Sequence, residues 1–429
     1  MPPRADSSTA ASIVGSRVGG DTLAIQRAQL SSARYYQRPD AERPRYEPNA
    51  TSLSGWSGFV NLGKEAGDYQ FGVSASATSP GFETNDAGFQ TSADGISYFA
   101  FGNRRWTKPG KVFRFAFAGN NLAYTRNFDG VRTALGYNLN IQGTFLNYWN
   151  ADAHVNTGWR APSATLTRGG PLADMPAFWN VSGGVGTDTR RRFSMYNGGL
   201  YNRNEIDGWG VGYFASLDIR PTTATTLSIQ PSYNRSTSRL QYVQSQSDVE
   251  ATSTFGRQYV FSSIEQHSLD LTTRVNVTFR PTLSLQFYAQ PFIATGDYDG
   301  FKELARPRSL DYVEYGRASG STLDCFNARN LAVSCVGDGV AYYVGDPDGA
   351  GQRRSVRIAN RDFDSRSLSG NAVVRWEYRP GSTMFFVWST NCAADTSDPR
   401  FHAADAVRRL CAGPSDNVFA VKANYWLSF

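Results

Sequence analysis

Histidine is nearly absent from this 429-residue chain, which has three, and cysteine is scarce, with four. No Cys-x-x-Cys pair, zinc motif, phosphate loop or dinucleotide fingerprint is present, so no cofactor is expected. No apolar run approaches the ~18 to 20 residues of a membrane-spanning helix, which excludes a helical membrane protein. Charge is low as well. Only 19% of residues are charged, and the formal net charge of +6 is spread along the chain, which excludes a nucleic-acid footprint. The start, Met1-Pro2-Pro3-Arg4-Ala5-Asp6, lacks the apolar segment of a secretory signal.

Aromatic residues, by contrast, are plentiful at 14%, although mean hydropathy is −0.42. A chain both aromatic and polar suits a membrane β-barrel, whose lipid face is apolar, whose lumen is polar, and whose interfaces carry aromatic girdles. The required pattern is a run of about ten residues with alternating hydrophobicity. From 268 to 280, Leu269, Leu271, Thr273, Val275, Val277 and Phe279 lie on one face, while Asp270, Arg274 and Arg280 lie on the other. After Arg280-Pro281-Thr282 the pattern resumes through Leu283, Leu285, Phe287, Ala289 and Ile293. Segments 209–220 and 368–378 alternate likewise, and Phe113, Phe115 and Phe117 alternate with Arg114, Ala116 and Ala118. A helix would scatter these charges around its circumference.

Short turns of Pro, Gly and polar residues alternate with long connections at about 19–51, 80–94, 124–133, 159–175, 237–264, 297–365 and 392–415. The one exception is a short link at 203–207. This pattern predicts an all-β, transmembrane antiparallel up-and-down barrel of about 16 strands, with short turns in the periplasm and long loops outside. The first strand, near 11–18, is the weakest. Residues 1–51 then form a partial first strand and a long extracellular loop, and 52–429 the barrel. A soluble propeller would show a fixed-period repeat, and none is visible.

Several stretches resemble one family. They include Ser32-Ala33-Arg34-Tyr35-Tyr36-Gln37-Arg38-Pro39-Asp40, Asn85-Asp86-Ala87-Gly88-Phe89, Arg168-Gly169-Gly170-Pro171, and 284–304 with its Gly296-Asp297-Tyr298 and Phe301-Lys302-Glu303-Leu304. Residues 370–382 and Asp416-Asn417-Val418-Phe419 add to these. Together they resemble the DUF5916 family over nearly the whole chain. The resemblance implies an outer-membrane barrel that follows a signal and a carbohydrate-binding-family-9-like sandwich, so this chain is expected to begin inside the barrel domain. Some members carry hydrolase labels, which makes an outer-membrane hydrolase of carbohydrate or lipid the alternative function.

Cys325, Cys335, Cys392 and Cys411 all fall in expected external loops. Four cysteines allow three pairings, and spacing favours Cys325–Cys335 and Cys392–Cys411. A short helix over 403–410 fits inside the second loop. Asp346-Pro347-Asp348-Gly349 reads as a turn, because it lacks the later acidic ligand of a calcium loop. His267, with Glu265 two residues before it and Ser268 beside it, is the best candidate for a catalytic base, but strand neighbours point to opposite faces; His154 and His402 look incidental. Carboxylates are too dispersed for a glycosidase pair. Arg114, Arg220, Arg274, Arg375, Asp218, Asp270 and Glu377 are expected to line the lumen and set its ion preference.

The last strand, from 418 to 429, puts Phe419, Val421, Ala423, Tyr425, Leu427 and Phe429 on one face. Tyr425, Leu427 and Phe429 resemble the terminal signal read by the barrel assembly machinery. The sequence thus predicts a non-enzymatic channel or surface scaffold in a bacterial outer membrane, with its C-terminus in the periplasm. Its expected partners are membrane lipid, the assembly machinery, and a glycan or small solute.

Overall fold

The computed structural model describes residues 7–84, 87–336, 339–402 and 408–427. Phe429, Asp86 and most of the helix expected at 403–410 lie outside the described residues. Alternating segments become strands throughout. β1 (Ser7–Gly19) pairs with β2 (Ser52–Lys64), followed in order by β3 (Tyr69–Thr78), β4 (Gly95–Trp106), β5 (Phe113–Arg126), β6 (Arg132–Phe145) and β7 (Asn150–Gly158). A small hairpin, β8 (Ala161–Ser163) and β9 (Ala173–Met175), leaves the sheet before β10 (Phe178–Gly186) rejoins it beside β7. The meander continues through β11 (Phe193–Asn204), β12 (Trp209–Thr222), β13 (Thr225–Ser247), β14 (Arg257–Arg280) and β15 (Leu283–Leu304).

Next, β16 (Tyr312–Glu314) pairs with the tip of β15, and β17 (Thr322–Phe326), β18 (Ala332–Val333), β19 (Tyr342–Asp346) and β20 (Val356–Ala359) form a separate four-stranded sheet. The chain returns beside β15 as β21 (Phe363–Arg379), β22 (Ser382–Thr396) and β23 (Ser415–Asn424). The main sheet has seventeen strands, and without the three-residue β16 sixteen remain as one antiparallel meander. Among the described residues no ladder joins β1 to β23.

The two faces of the meander differ in kind. One row runs Leu62, Val73, Ala100, Leu122, Tyr137 from β2 to β6. Its Leu62, Val73 and Leu122 are uncovered; Val73, for example, is 54% exposed. The opposite face carries Asn121, Asn138, Asn156, Asn180 and Asn202 in register across β5, β6, β7, β10 and β11. A second polar row runs Asp218, Ser228, Arg274, Tyr288, Asn371, Ser389 from β12 to β22.

One expected face is reversed. Phe115 and Phe117 pair with Thr144 and Gln142 on the polar side, while Ala116 and Ala118 share the apolar face with Gly143 and Ile141. Alternation divides a strand into two faces, but where phenylalanine alternates with alanine only the neighbouring strand shows which face is which.

Short connections, such as 65–68, 223–224, 281–282 and 380–381, gather at one end of the meander and long ones at the other. Two of the expected long connections are narrower than the sequence suggests. The link at 124–133 shrinks to 127–131, and that at 237–264 to 248–256. Its Ser- and Gln-rich flanks look like loop by composition, yet pair as strand out to Gln246↔Gln258 and Ser247↔Arg257. The segment 20–51 holds a helix, α1 (Thr22–Leu30), capped by Asp21, whose Oδ1 accepts from the Ala24 N–H at 2.7 Å.

The extended tips of β13, β14 and β15 are buried on both sides. Val243, Val260 and Phe301 pack with Tyr343, Val356 and Ile358 of the small sheet. Tyr259, Phe261 and Leu304 pack with Ala173, because adjacent strand residues point opposite ways.

Candidate functional site

Three connections from distant strands meet above the sheet at Asp40. Its carboxylate accepts from the Leu172 N–H at 3.0 Å, pairs with Arg38 at 3.4 Å, and lies 3.9 Å from Arg308. The Arg308 N–H donates in turn to the Leu172 carbonyl at 2.8 Å, and the Asp174 N–H to the Ser309 carbonyl at 3.3 Å. The stretches 32–40, 168–171 and 301–304, far apart in sequence, are thus brought close together.

Next to this junction, between 37–39, 167–170 and the β13–β14 hairpin, lies a pocket of about 400 Å³ walled by Gln37, Arg168, Gly170, Phe255, Arg257 and Tyr259, among others. Gly169 and Gly170 make this junction possible. A Cβ on Gly169 would stand 2.1 Å from Gln37 Nε2, and one on Gly170 2.2 Å from the Tyr259 ring. Arg168 lies over the Tyr242 ring, 4.5 Å from its centroid, and Arg257 donates to Ser245 Oγ at 3.1 Å. The sequence marks 168–171 as a motif but gives no sign of the pocket, whose walls come from three separate segments.

Beneath the small sheet is a buried ionic clasp. Arg353 reaches Asp248 and Glu303, each at 2.7 Å, and Tyr315 donates to Glu303 at 2.9 Å. Burial pushes the Glu303 carboxyl above its usual range, against the pull of Arg353 and Tyr315. Burial works the same way on Asp248, but hydrogen bonds from Arg353, Arg354 and Glu250 hold it below its usual range. Gln244, Gln246 and Gln258 add bonds to the Arg357, Ser355 and Arg354 carbonyls. The clasp is fully engaged in tying 305–362 to β13–β15.

His267 has Tyr233 Oη at 2.9 Å on Nδ1 and Glu265 at 3.2 Å on Nε2, with Phe401 stacked on its ring. Neither nitrogen of His267 bonds a serine, so no nucleophile converges on it. His154 sits within the polar face, bonded to Asn140 at 2.6 Å and Asp152 at 3.2 Å, and His402 is exposed. Among the described residues no group of three or more His, Cys, Asp or Glu is placed to hold a metal ion.

Of the seven charges expected in a lumen, Arg375 and Glu377 pair with each other at 3.2 Å. Asp218 accepts from Ser216, Asp270 from Thr272 and Gln290, and Arg274 stacks over Tyr288. Arg220 donates to the Thr189 carbonyl at the short-turn end, and Arg114 stands at a β-bulge with its guanidinium over Tyr148. Sequence reasoning missed the asparagine row, which places one amide on each of five strands and shows no local signature.

Cys325–Cys335 and Cys392–Cys411 are both disulfides, each stapling its own connection. Asp346 Oδ1 accepts from the Asp348 and Gly349 N–H groups, the side-chain turn expected there. At the C-terminal strand, Tyr425 Oη accepts from Arg379 at 2.6 Å, the Trp426 N–H donates to Ser382, and Leu427 is exposed.

Comparison with known proteins adds a family and little else. No curated protein and no solved structure matches the chain. A family model described as a domain of unknown function, DUF5916, matches residues 25–334, leaving 370–382 and 416–419 outside the matched span. With well over half of its length covered, the chain belongs to the DUF5916 family.

Proposed function

We propose that the meander closes into an outer-membrane barrel that acts, without enzymatic chemistry, as a channel or surface scaffold. The observation that carries this is the exposed apolar face, continuous from strand to strand and backed by a polar one. Soluble monomers rarely expose contiguous apolar patches beyond a few hundred Å², whereas acyl chains would cover such a face. The strand lengths fit. β7 and β10, the shortest of the sixteen, have nine residues each, and a spanning strand needs about 9 to 11.

Loop convergence supports a rolled sheet. In a flat sheet β2 and β15, eleven steps apart in strand order, would be separated by roughly 50 Å. Yet Asp40, in the connection before β2, and Arg308, in the connection after β15, lie 3.9 Å apart. In this reading the polar face is the lumen, and Asp218, Asp270, Arg274, Arg375 and Glu377 contribute to it. The long connections lie outside the cell and the C-terminus in the periplasm. Tyr425, Leu427 and Phe429 then address the assembly machinery. Nothing around His267 favours the hydrolase alternative.

The test is membrane fractionation followed by recording in planar bilayers. Recovery in the outer-membrane fraction with stepwise conductance is the expected result. A soluble product would sink the barrel, and an inserted but silent one would sink the channel in favour of the scaffold.

A further inference from the structure

The pocket between 37–39, 167–170 and the β13–β14 hairpin goes beyond this reading, because it lies above the sheet and none of its walls belongs to the polar face. Its lining carries two guanidiniums, Arg168 and Arg257, and no carboxylate. Among the described residues neither forms an ion pair: Arg257 is bonded to the Ser245 and Ser247 hydroxyls, and Arg168 stacks on Tyr242. Two uncompensated cations in one concavity make a site for an anion.

The rest of the wall is not that of a bare anion hole. Phe255 presents a half-exposed ring, Tyr259 a buried one, and Gln37 a side-chain amide. Apolar ring faces beside a few fixed polar groups are the usual make-up of a small-molecule pocket, and about 400 Å³ falls within the common range of roughly 300 to 1,000 Å³.

The backbone points the same way. Arg168 and Phe255, two of the eight non-glycine residues with positive φ among the described residues (50° and 60°), both line this pocket. Backbone strain of this kind clusters at ligand clamps.

We propose that this pocket binds a saccharide bearing a carboxylate or phosphate, with Arg257 and Arg168 holding the anionic group and the exposed Phe255 ring lying against the sugar. The purified full chain would be titrated calorimetrically with glucuronate, glucose 6-phosphate, glucose and inorganic phosphate. Both acidic sugars are expected to bind, with glucose and phosphate weaker by about tenfold or more. Arg257→Gln and Arg168→Gln should each weaken acidic-sugar binding by about tenfold, while Arg257→Lys keeps most of it. If Arg168→Gln fails to fold, exposed Arg257 still carries the test. The proposal is overturned if neither acidic sugar binds, if glucose or phosphate binds as tightly, or if Arg257→Gln leaves affinity unchanged. Because the assay measures binding alone, a silent barrel in bilayers leaves its outcome intact.

Discussion

Single residues decide whether the loop junction can form at all. Tyr259 is 3% exposed and has no room to retreat from a methyl group on Gly170. Gly170→Ala should therefore lower stability by about 1 to 3 kcal/mol, seen as a lower melting temperature. Gly95→Ala, which meets nothing within 4 Å, should be nearly neutral. Asp94, which accepts from the Phe128 N–H at 3.0 Å, is pushed up to about 6 by burial, opposed by that bond and Arg38 and assisted by Asp129. The folded state thus binds this proton more tightly than the unfolded chain. Its stabilising contribution is complete below about pH 4 and is lost as pH rises through about 6. Proteolysis of the 79–94 connection should accordingly be slower at pH 5 than at pH 8, and Asp94→Asn should remove most of that difference. Neither effect is legible in sequence, since both depend on what another segment places against the residue.

At the level of elements, legibility follows burial pattern. The inner halves of β14 and β15 and most of β12 alternate apolar and polar residues, so 268–293 and 209–219 show their strands plainly. The tips of β13 and β14 do not, because Ser and Gln there serve backbone pairing on one side and bonds to Ser355 and Arg357 carbonyls on the other. The small sheet β17–β20 was invisible for a related reason: its strands have two to five residues, too short for periodicity to register. The clasp that holds this sheet gives a sharp expectation. Arg353→Met leaves Glu303 and Asp248 buried and uncompensated, at a cost of about 3 to 5 kcal/mol. The 305–362 connection should become protease-sensitive, and adding Glu303→Gln and Asp248→Asn should restore much of the protection.

For the whole molecule, sixteen consecutive antiparallel neighbours were foreseeable from alternation and turn spacing, but the meeting of distant loops at Asp40 was not. That contact depends on how far the sheet curls, a property no local window contains. Among the described residues the C-terminal strand pairs only with β22, with Tyr425 and Trp426 bonded to Arg379 and Ser382 beyond it. Deleting 425–429 should leave the chain unassembled, measured as loss from the outer-membrane fraction, whereas the same deletion would not alter partitioning of a protein that never enters a membrane.

The asparagine row has one further property. Asn121 donates to Asn138, Asn138 to Asn156 and Asn156 to Asn180, so these four amide dipoles point the same way across the strands. Turning one amide over would set N–H against N–H on one side and oxygen against oxygen on the other, which couples the four orientations. The row is therefore directional across the strands, each amide's N–H side turned toward β10 and its oxygen toward β5.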